Sequence, residues 1–290
     1  MITYLQAGIL GAIQGIAELF PISSLGHSVI IPALLGWSLD QNANYFLIFL
    51  VATHLATALV LLTFFADDWF LIIRGIFRSL KNRSIDSGDT YAKLGWLLII
   101  GTIPAGILGL LFEEKVKLIF ASPAYVSIFL FLNGLLLYGA EILRKRVAEN
   151  SIATESASHS DAHIAKLTWT QSIGIGFAQA LALLPGFSRT GSALGGGLLS
   201  GLNHENAARF SFLLATPIIL AAAVLKLPEL IIPGQNYPLG PIVVGVIASG
   251  IAAYLSIKFL TRYFRTKTLK PFAVYCIIAG ILSFVIISVL

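Results

Sequence analysis

The sequence predicts an all-α polytopic membrane protein, an inverted-topology repeat with about six transmembrane helices and two re-entrant helix-loop-helix segments. Three observations predict it. Of 290 residues, 57% are hydrophobic and only 11% charged, against about 25% charged in a soluble domain. Charge-free apolar runs long enough to cross a bilayer recur along the chain. A short polar motif near the N-terminus returns past the middle of the chain, among residues that are otherwise apolar.

The first run begins at Met1 without a basic region and contains Glu18, Pro21 and His27. It therefore reads as part of the mature chain and not as a cleaved signal peptide. The runs Gln41 to Ala66, Leu94 to Phe112, Leu118 to Ala140 and Pro271 to Leu290 each come near the roughly 20 residues a crossing takes. Phe210 to Leu225 and Pro241 to Ile257 are shorter and complete the six. Lys and Arg gather at Arg74 to Lys93, Arg144 to Lys166 and Lys258 to Lys270, which the positive-inside rule puts in the cytoplasm. The loops Glu113 to Lys117 and Lys226 to Gly240 carry few and fall outside. With the third basic loop inside, Leu167 to Gly201 must cross an even number of times, so it dips in and returns. Broken backbone at that depth is tolerated where protein or a water-filled cavity surrounds it.

A shift of 165 lays Gln14 on Gln179, Ala17 on Ala182, Leu19 on Leu184, Ser23 on Ser188 and Gly26 on Gly191. A shift of 144 lays Gly101, Ile103, Gly106 and Ile107 on Gly245, Ile247, Gly250 and Ile251. Each half then holds one re-entrant segment and three spans, and an odd number of spans turns the second half over. The expected division of this single membrane domain is a first repeat over about 1–146, a polar cytoplasmic linker over 147–166 and a second repeat over about 167–290. The two tips then meet inside the bilayer, one entering from each side. In the linker, His159 and His163 are weak metal candidates; solvated loop histidines are the commoner case.

In the first tip Gln14 and Glu18 are four apart and share a helix face. Gly8, Gly11 and Gly15 lie close to that face and permit tight helix contact. Pro21 stops the helix. Ser23 or Ser24 can cap the returning half-helix, with His27 in its first turn. In the second tip a Pro185-Gly186 break leads to Ser188, Arg189, Thr190 and Gly191 at a helix start. Amides at such a start bind phosphate, and Arg adds a planar two-pronged grip. Serines in membrane helices commonly bond back to their own carbonyls. Glu18, His27 and Arg189 weigh more, because ionisable groups at bilayer depth are costly and mark function. His54, inside an apolar run, is a weaker candidate, for which a satisfied core histidine is the commoner case.

At these residues the sequence resembles the undecaprenyl-diphosphate phosphatase family of the bacitracin-resistance type. That family's first motif is matched by Gln14, Glu18, Pro21, Ser23, Ser24, Gly26 and His27. Its second, Pro-Gly-x-Ser-Arg-Ser, is matched by Pro185, Gly186, Phe187, Ser188, Arg189 and Thr190, with Thr in place of the common Ser. Ala193 stands where the family often has Thr. The resemblance extends through most of the chain, including Thr102 to Ala105 and Phe210 to Ala215.

The resemblance implies hydrolysis of undecaprenyl diphosphate to the monophosphate and phosphate, recycling a lipid carrier for cell-wall synthesis. It implies Glu18, His27, Arg189, Ser24 and Ser188 as catalytic residues, with Gln14, Ser23, Gly186, Thr190 and Gly191 holding substrate. Arg189 would grip the diphosphate, His27 would act as general acid or base, and Ser24 or Ser188 as nucleophile or phosphate ligand. A divalent cation, magnesium or calcium, is expected on Glu18. The expected place is the bacterial cytoplasmic membrane, multi-pass, with the site opening outward. Undecaprenyl diphosphate and membrane lipid are the expected partners, with a second copy of the chain a candidate. The net charge of +5 suits basic cytoplasmic loops near anionic lipid and gives no ground for nucleic acid. Lone Cys276 reads as a buried, inert thiol. The rival class is a transporter or flippase of a polyprenyl phosphate, since inverted repeats are a transporter architecture; transport needs a cation for the phosphate but no acid–base pair.

Overall fold

The computed structural model describes residues 2–41, 43–120, 122–150, 160–231 and 237–289. Among these there is no strand, and six helices are long and apolar enough to cross a membrane. In chain order the helices are α1 (Tyr4–Leu19), α2 (Ser24–Leu34), α3 (Asn44–Phe64), α4 (Ala66–Asn82), α5 (Thr90–Phe120), α6 (Pro123–Asn150), α7 (Ser160–Ile164), α8 (Trp169–Ala180), α9 (Arg189–Leu199), α10 (His204–Lys226), α11 (Leu239–Tyr263) and α12 (Lys270–Val289). The crossing helices are α3, α5, α6, α10, α11 and α12, at the six expected positions. The pair α1 and α2, at 16 and 11 residues, and the pair α8 and α9, at 12 and 11, fall short of the roughly 20 residues of a span.

Local chemistry repeats with the sequence shift. The N-cap Thr3 Oγ1 accepts from the Gln6 amide at 3.2 Å while Gln6 Oε1 accepts from the Thr3 amide at 3.0 Å. Thr168 and Gln171 make the same reciprocal capping box at 3.2 and 2.8 Å. Helix α1 packs chiefly on α11, and α8 on α5. Gly11 lies against the Gly245 carbonyl and Gly176 against the Gly101 carbonyl, so closely that a Cβ would overlap the facing backbone. The shift of 165 carries Gly11 onto Gly176 and the shift of 144 carries Gly101 onto Gly245. One small-residue contact is thus built twice. Helices α6 and α12 pack on each other, as do α3 and α10.

Three expectations are corrected. The basic stretch Arg74 to Lys93 is not a plain loop: α4 occupies its first part. Phe70, Ile73, Phe77 and Leu80 recur at helical spacing there, with Arg74, Arg78 and Lys81 between them. The stretch Glu113 to Lys117 is also helical, because α5 runs on to Phe120 and no Gly or Pro interrupts it before Pro123. His54 is more than a core histidine, since its ring reaches the Glu18 carboxylate. His159 of the linker lies outside the described residues.

At the basic end, Arg209 of α10 bonds Asp68 of α4 at 2.6 Å and Asp161 of α7 at 2.7 Å, and stacks over Phe65. This ties the first half of the chain to the start of the second. At the other end Asn44 Nδ2 donates to Glu229 and to Tyr237, both at 2.9 Å. Cys276 is buried, as expected of an inert thiol.

Candidate active site

The two short-helix hairpins bring their tips together. Pro21 and the 3-10 turn Leu181–Leu183 with Pro185 stop α1 and α8, and the backbone turns through positive φ at Ser23 (71°) and Gly186 (115°). A side chain at Gly186 would run into the α6 backbone at Val126. Ser23 tolerates its φ at a steric cost, which is a feature of tightly held functional turns. The two returning helices are capped alike: Ser23 Oγ accepts from the Gly26 amide at 3.1 Å, and Ser188 Oγ from the Gly191 amide at 3.0 Å. Each capping oxygen is thereby engaged in holding its own turn.

The first helical residues are then Ser24 in α2 and Arg189 in α9, again 165 apart, and both reach Glu18 at the end of α1. Ser24 Oγ donates to Glu18 Oε2 at 2.5 Å, and Arg189 pairs with Glu18 Oε1. His54 Nε2 of α3 lies 3.0 Å from Oε2 and 3.4 Å from Ser24 Oγ. The other ring nitrogen, Nδ1, bonds the Leu50 carbonyl at 2.7 Å, which turns Nε2 toward the pair. Glu18 is 5% exposed, so its charge is set by these neighbours and not by bulk water. The Nε of Arg189 has no partner among the described residues, which leaves part of its fork open.

Two further bonds lock the tips in register. Thr190 Oγ1 donates to the Glu18 carbonyl at 2.7 Å. Asn133 of α6 gives Nδ2 to the Pro21 carbonyl at 3.1 Å and takes the Ser188 amide on Oδ1 at 3.0 Å. One buried carboxamide thus satisfies an orphaned backbone group on each tip. Asn133 was not singled out from sequence; a lone Asn in an apolar span is the signal that could have found it.

Glu18 and the side chains that reach it line part of a cavity of about 420 Å³, within the usual size of a ligand site. Glu18, Ser24, His54, Gln179, Ser188 and Arg189 form its polar floor. Leu47, Leu50 and Val51 of α3, Gly106 and Gly109 of α5, and Ile218 and Ile219 of α10 are among its apolar walls. The α3 and α10 wall residues come from the start of α3 and the second half of α10, toward the end of the bundle away from the basic segments.

Not every expected site residue faces this cavity. His27 is buried elsewhere: Nδ1 bonds the Ser23 carbonyl at 2.7 Å and Nε2 the Tyr275 hydroxyl at 2.7 Å, with the two rings stacked. Gln14 is fully buried, its Nε2 donating to Thr57 Oγ1 at 3.4 Å. Ser23, Gly186, Thr190 and Gly191 build the turns and caps. Among the described residues no group of three or more His, Cys, Asp or Glu side chains gathers as a metal cage. The donors beside Glu18 are Ser24 Oγ and His54 Nε2.

Comparison with known proteins gives a consistent set of relatives. The family model described as bacitracin resistance protein BacA matches residues 7–282. The chain is similar to the undecaprenyl-diphosphatase of Mycolicibacterium paratuberculosis, 47% identical over 96% of this chain and 95% of that one. It is similar to undecaprenyl-diphosphatase 2 of Frankia alni, 42% identical over 97% of each chain. It is also similar to undecaprenyl-diphosphatase 2 of Chromobacterium violaceum, 43% identical over 96% of this chain and 97% of that one.

Proposed function

The chain belongs to the bacitracin resistance protein BacA family, and on that premise we propose that it hydrolyses undecaprenyl diphosphate to undecaprenyl phosphate and inorganic phosphate. The product is the lipid carrier on which cell-wall polymers are built, and its recycling underlies bacitracin resistance. The observation that carries this reading is the Glu18 carboxylate, held between a hydroxyl and a guanidinium on the polar floor of a cavity whose walls are mostly apolar, with Lys226 also in its lining. The apolar walls suit the isoprenoid chain and the floor suits the diphosphate.

Phosphoryl transfer needs positioning and neutralised phosphate oxygens more than covalent chemistry from the protein. Arg189 has donors to spare beyond Glu18, and its open Nε with the backbone amides of Arg189 and Thr190 at the start of α9 can hold the terminal phosphate. Ser24 is the nucleophile: its Oγ–H already donates to Glu18, the arrangement of an activated hydroxyl with its base. As Oγ attacks the terminal phosphorus, Glu18 takes the proton, the bridging P–O bond breaks and undecaprenyl phosphate leaves. Glu18 passes that proton to the leaving undecaprenyl phosphate, and the freed carboxylate takes a proton from the water that attacks the phosphoserine and returns it to Ser24 Oγ as the P–Oγ bond breaks. His54 orients the carboxylate. His27, braced between the Ser23 carbonyl and Tyr275, holds the turn that presents Ser24, which makes it a positioning residue. Gln14 does the same for α1 through Thr57.

The donor set Glu18, Ser24 and His54 fits a divalent ion that arrives with the diphosphate, since magnesium is held by one or two carboxylates plus substrate phosphates. Bound there, such an ion would neutralise phosphate charge. The matched caps, glycine contacts and short hairpins support reading the chain as two inverted repeats joined by the 147–166 linker, with both hairpins re-entrant. With the basic segments in the cytoplasm, the cavity opens outward, on the periplasmic side of the cytoplasmic membrane.

One experiment tests the hydrolysis, the ion and the orientation: phosphate release from undecaprenyl diphosphate by purified protein in sealed vesicles, with substrate confined to the cavity-side or the basic-side leaflet, and with or without chelator. Release from the cavity side, reduced by chelator, is expected. Lipid movement without phosphate release would favour the transporter class, and release from the basic side alone would reverse the orientation.

A further inference from the structure

Gln14 and Gln179 are the same residue in the two halves by the shift of 165, yet the fold treats them differently. Gln14 gives its Nε2 to Thr57, has no partner for its Oε1 among the described residues, and stands outside the cavity. Gln179, in the last turn of α8, lines the cavity beside Ser188 and Arg189. It is 2% exposed, and among the described residues neither its Oε1 nor its Nε2 has a hydrogen-bond partner. A buried carboxamide left unpaired at both ends costs free energy, and native structures keep such groups where they have a use.

Its backbone is fixed with care. Gly176, one turn earlier, lets α8 lie against Gly101, and Gln171 Nε2 bonds the Ser200 carbonyl at 3.0 Å, tying α8 to the end of α9. The α8 tip therefore holds Gln179 in the same polar floor as Arg189, whose own Nε also lacks a partner there.

We infer that Gln179 is a substrate-contacting residue for the phosphate that is removed, completing with Arg189 the phosphate site on the second tip. This rests on the diphosphatase reading. A neutral amide is suited to that contact, because Nε2 donates to a non-bridging oxygen and Oε1 accepts from a protonated phosphate oxygen or a water in its shell. It adds hydrogen-bonding groups without adding charge. The sequence placed this role on Gln14; the geometry moves it to the repeat mate.

The test compares wild type with Gln179→Leu, similar in size and without polar atoms, for phosphate release from undecaprenyl diphosphate and for thermal midpoint in the same detergent. The Leu variant is expected to lose about tenfold to a hundredfold in kcat/KM, the scale of a hydrogen bond to a charged group. Its thermal midpoint should stay or rise, because an unpaired buried amide has been replaced by an apolar group. A kcat/KM unchanged within about twofold, or a loss that follows a lowered midpoint, would assign Gln179 to packing. A second arm uses inorganic phosphate alone and does not need turnover. Phosphate should raise the midpoint of wild type more than that of Gln179→Leu; equal protection of both, or of neither, overturns the inference. Absence of phosphate release by wild type would instead count against the diphosphatase reading, with the phosphate arm still deciding on Gln179.

Discussion

Glu18→Gln is expected to lower the turnover number for undecaprenyl diphosphate by about two to four orders of magnitude, the range for losing a positioned general base. Glutamine keeps the size, and its Oε1 can still accept from Arg189 while its Nε2 donates to Ser24 Oγ, so the tips stay closed and the protein still inserts and purifies. What is lost is the charge that takes the Ser24 proton. The sign of the accompanying change in KM is the sharper test. Glu18 faces the same guanidinium that must bind phosphate, and its negative charge opposes the incoming diphosphate. The variant should therefore bind substrate as well as wild type or better, with KM unchanged or lowered. A structural role for Glu18 would give the opposite pattern: near-normal turnover in whatever protein survives, and a lower thermal midpoint. Steady-state kinetics on the two proteins in one detergent separate these outcomes.

Arg189→Lys is expected to fail in a different way. Arg189 stands at the first helical position after the Ser188 cap, where one guanidinium edge meets Glu18 and Nε is left open. A planar fork can hold the carboxylate and a phosphate oxygen together, and lysine, a point donor, serves one at a time. Since both contacts are made in the transition state, kcat and affinity should fall together, with kcat/KM down about a hundredfold or more. KM should rise in this variant, where in Glu18→Gln it should not. Unchanged constants in Arg189→Lys would reduce Arg189 to a nearby charge and leave the α9 amides as the phosphate clamp.

Much of this was legible in the sequence for physical reasons. The six spans are visible because a bilayer demands long charge-free helices, and the tips because Pro21, Pro185 and Gly186 break helices where Glu18 and Arg189 sit at a cost. The proposed inversion rests on three clusters of Lys and Arg. Helix α4 is masked by the Lys and Arg residues of its segment, while the apolar spacing from Phe70 to Leu80 is the stronger signal. The partners were less legible. His54 comes 36 residues after Glu18 in an apolar run, and only the packing of α3 behind the tip brings Nε2 within 3.0 Å of the carboxylate. His27, by contrast, lies in the tip itself, and a helix start places it by spacing alone; its direction is set by Tyr275, 248 residues away. Asn133 and Gln179 differ from their apolar surroundings by a single amide each. Their roles depend on what faces them, Pro21 and Ser188 for one and the open cavity for the other.

The cleavage centre itself, with Glu18 as base and Ser24 as nucleophile, is open to one direct measurement. Purified protein is mixed with undecaprenyl diphosphate, quenched in acid within a single turnover, digested and read by mass spectrometry. The expected result is a phosphoryl group on the peptide carrying Ser24, absent in Ser24→Ala, whose phosphate release should also fall to near background. Release by Ser24→Ala at the wild-type rate, with no phosphorylated peptide in either protein, would contradict it.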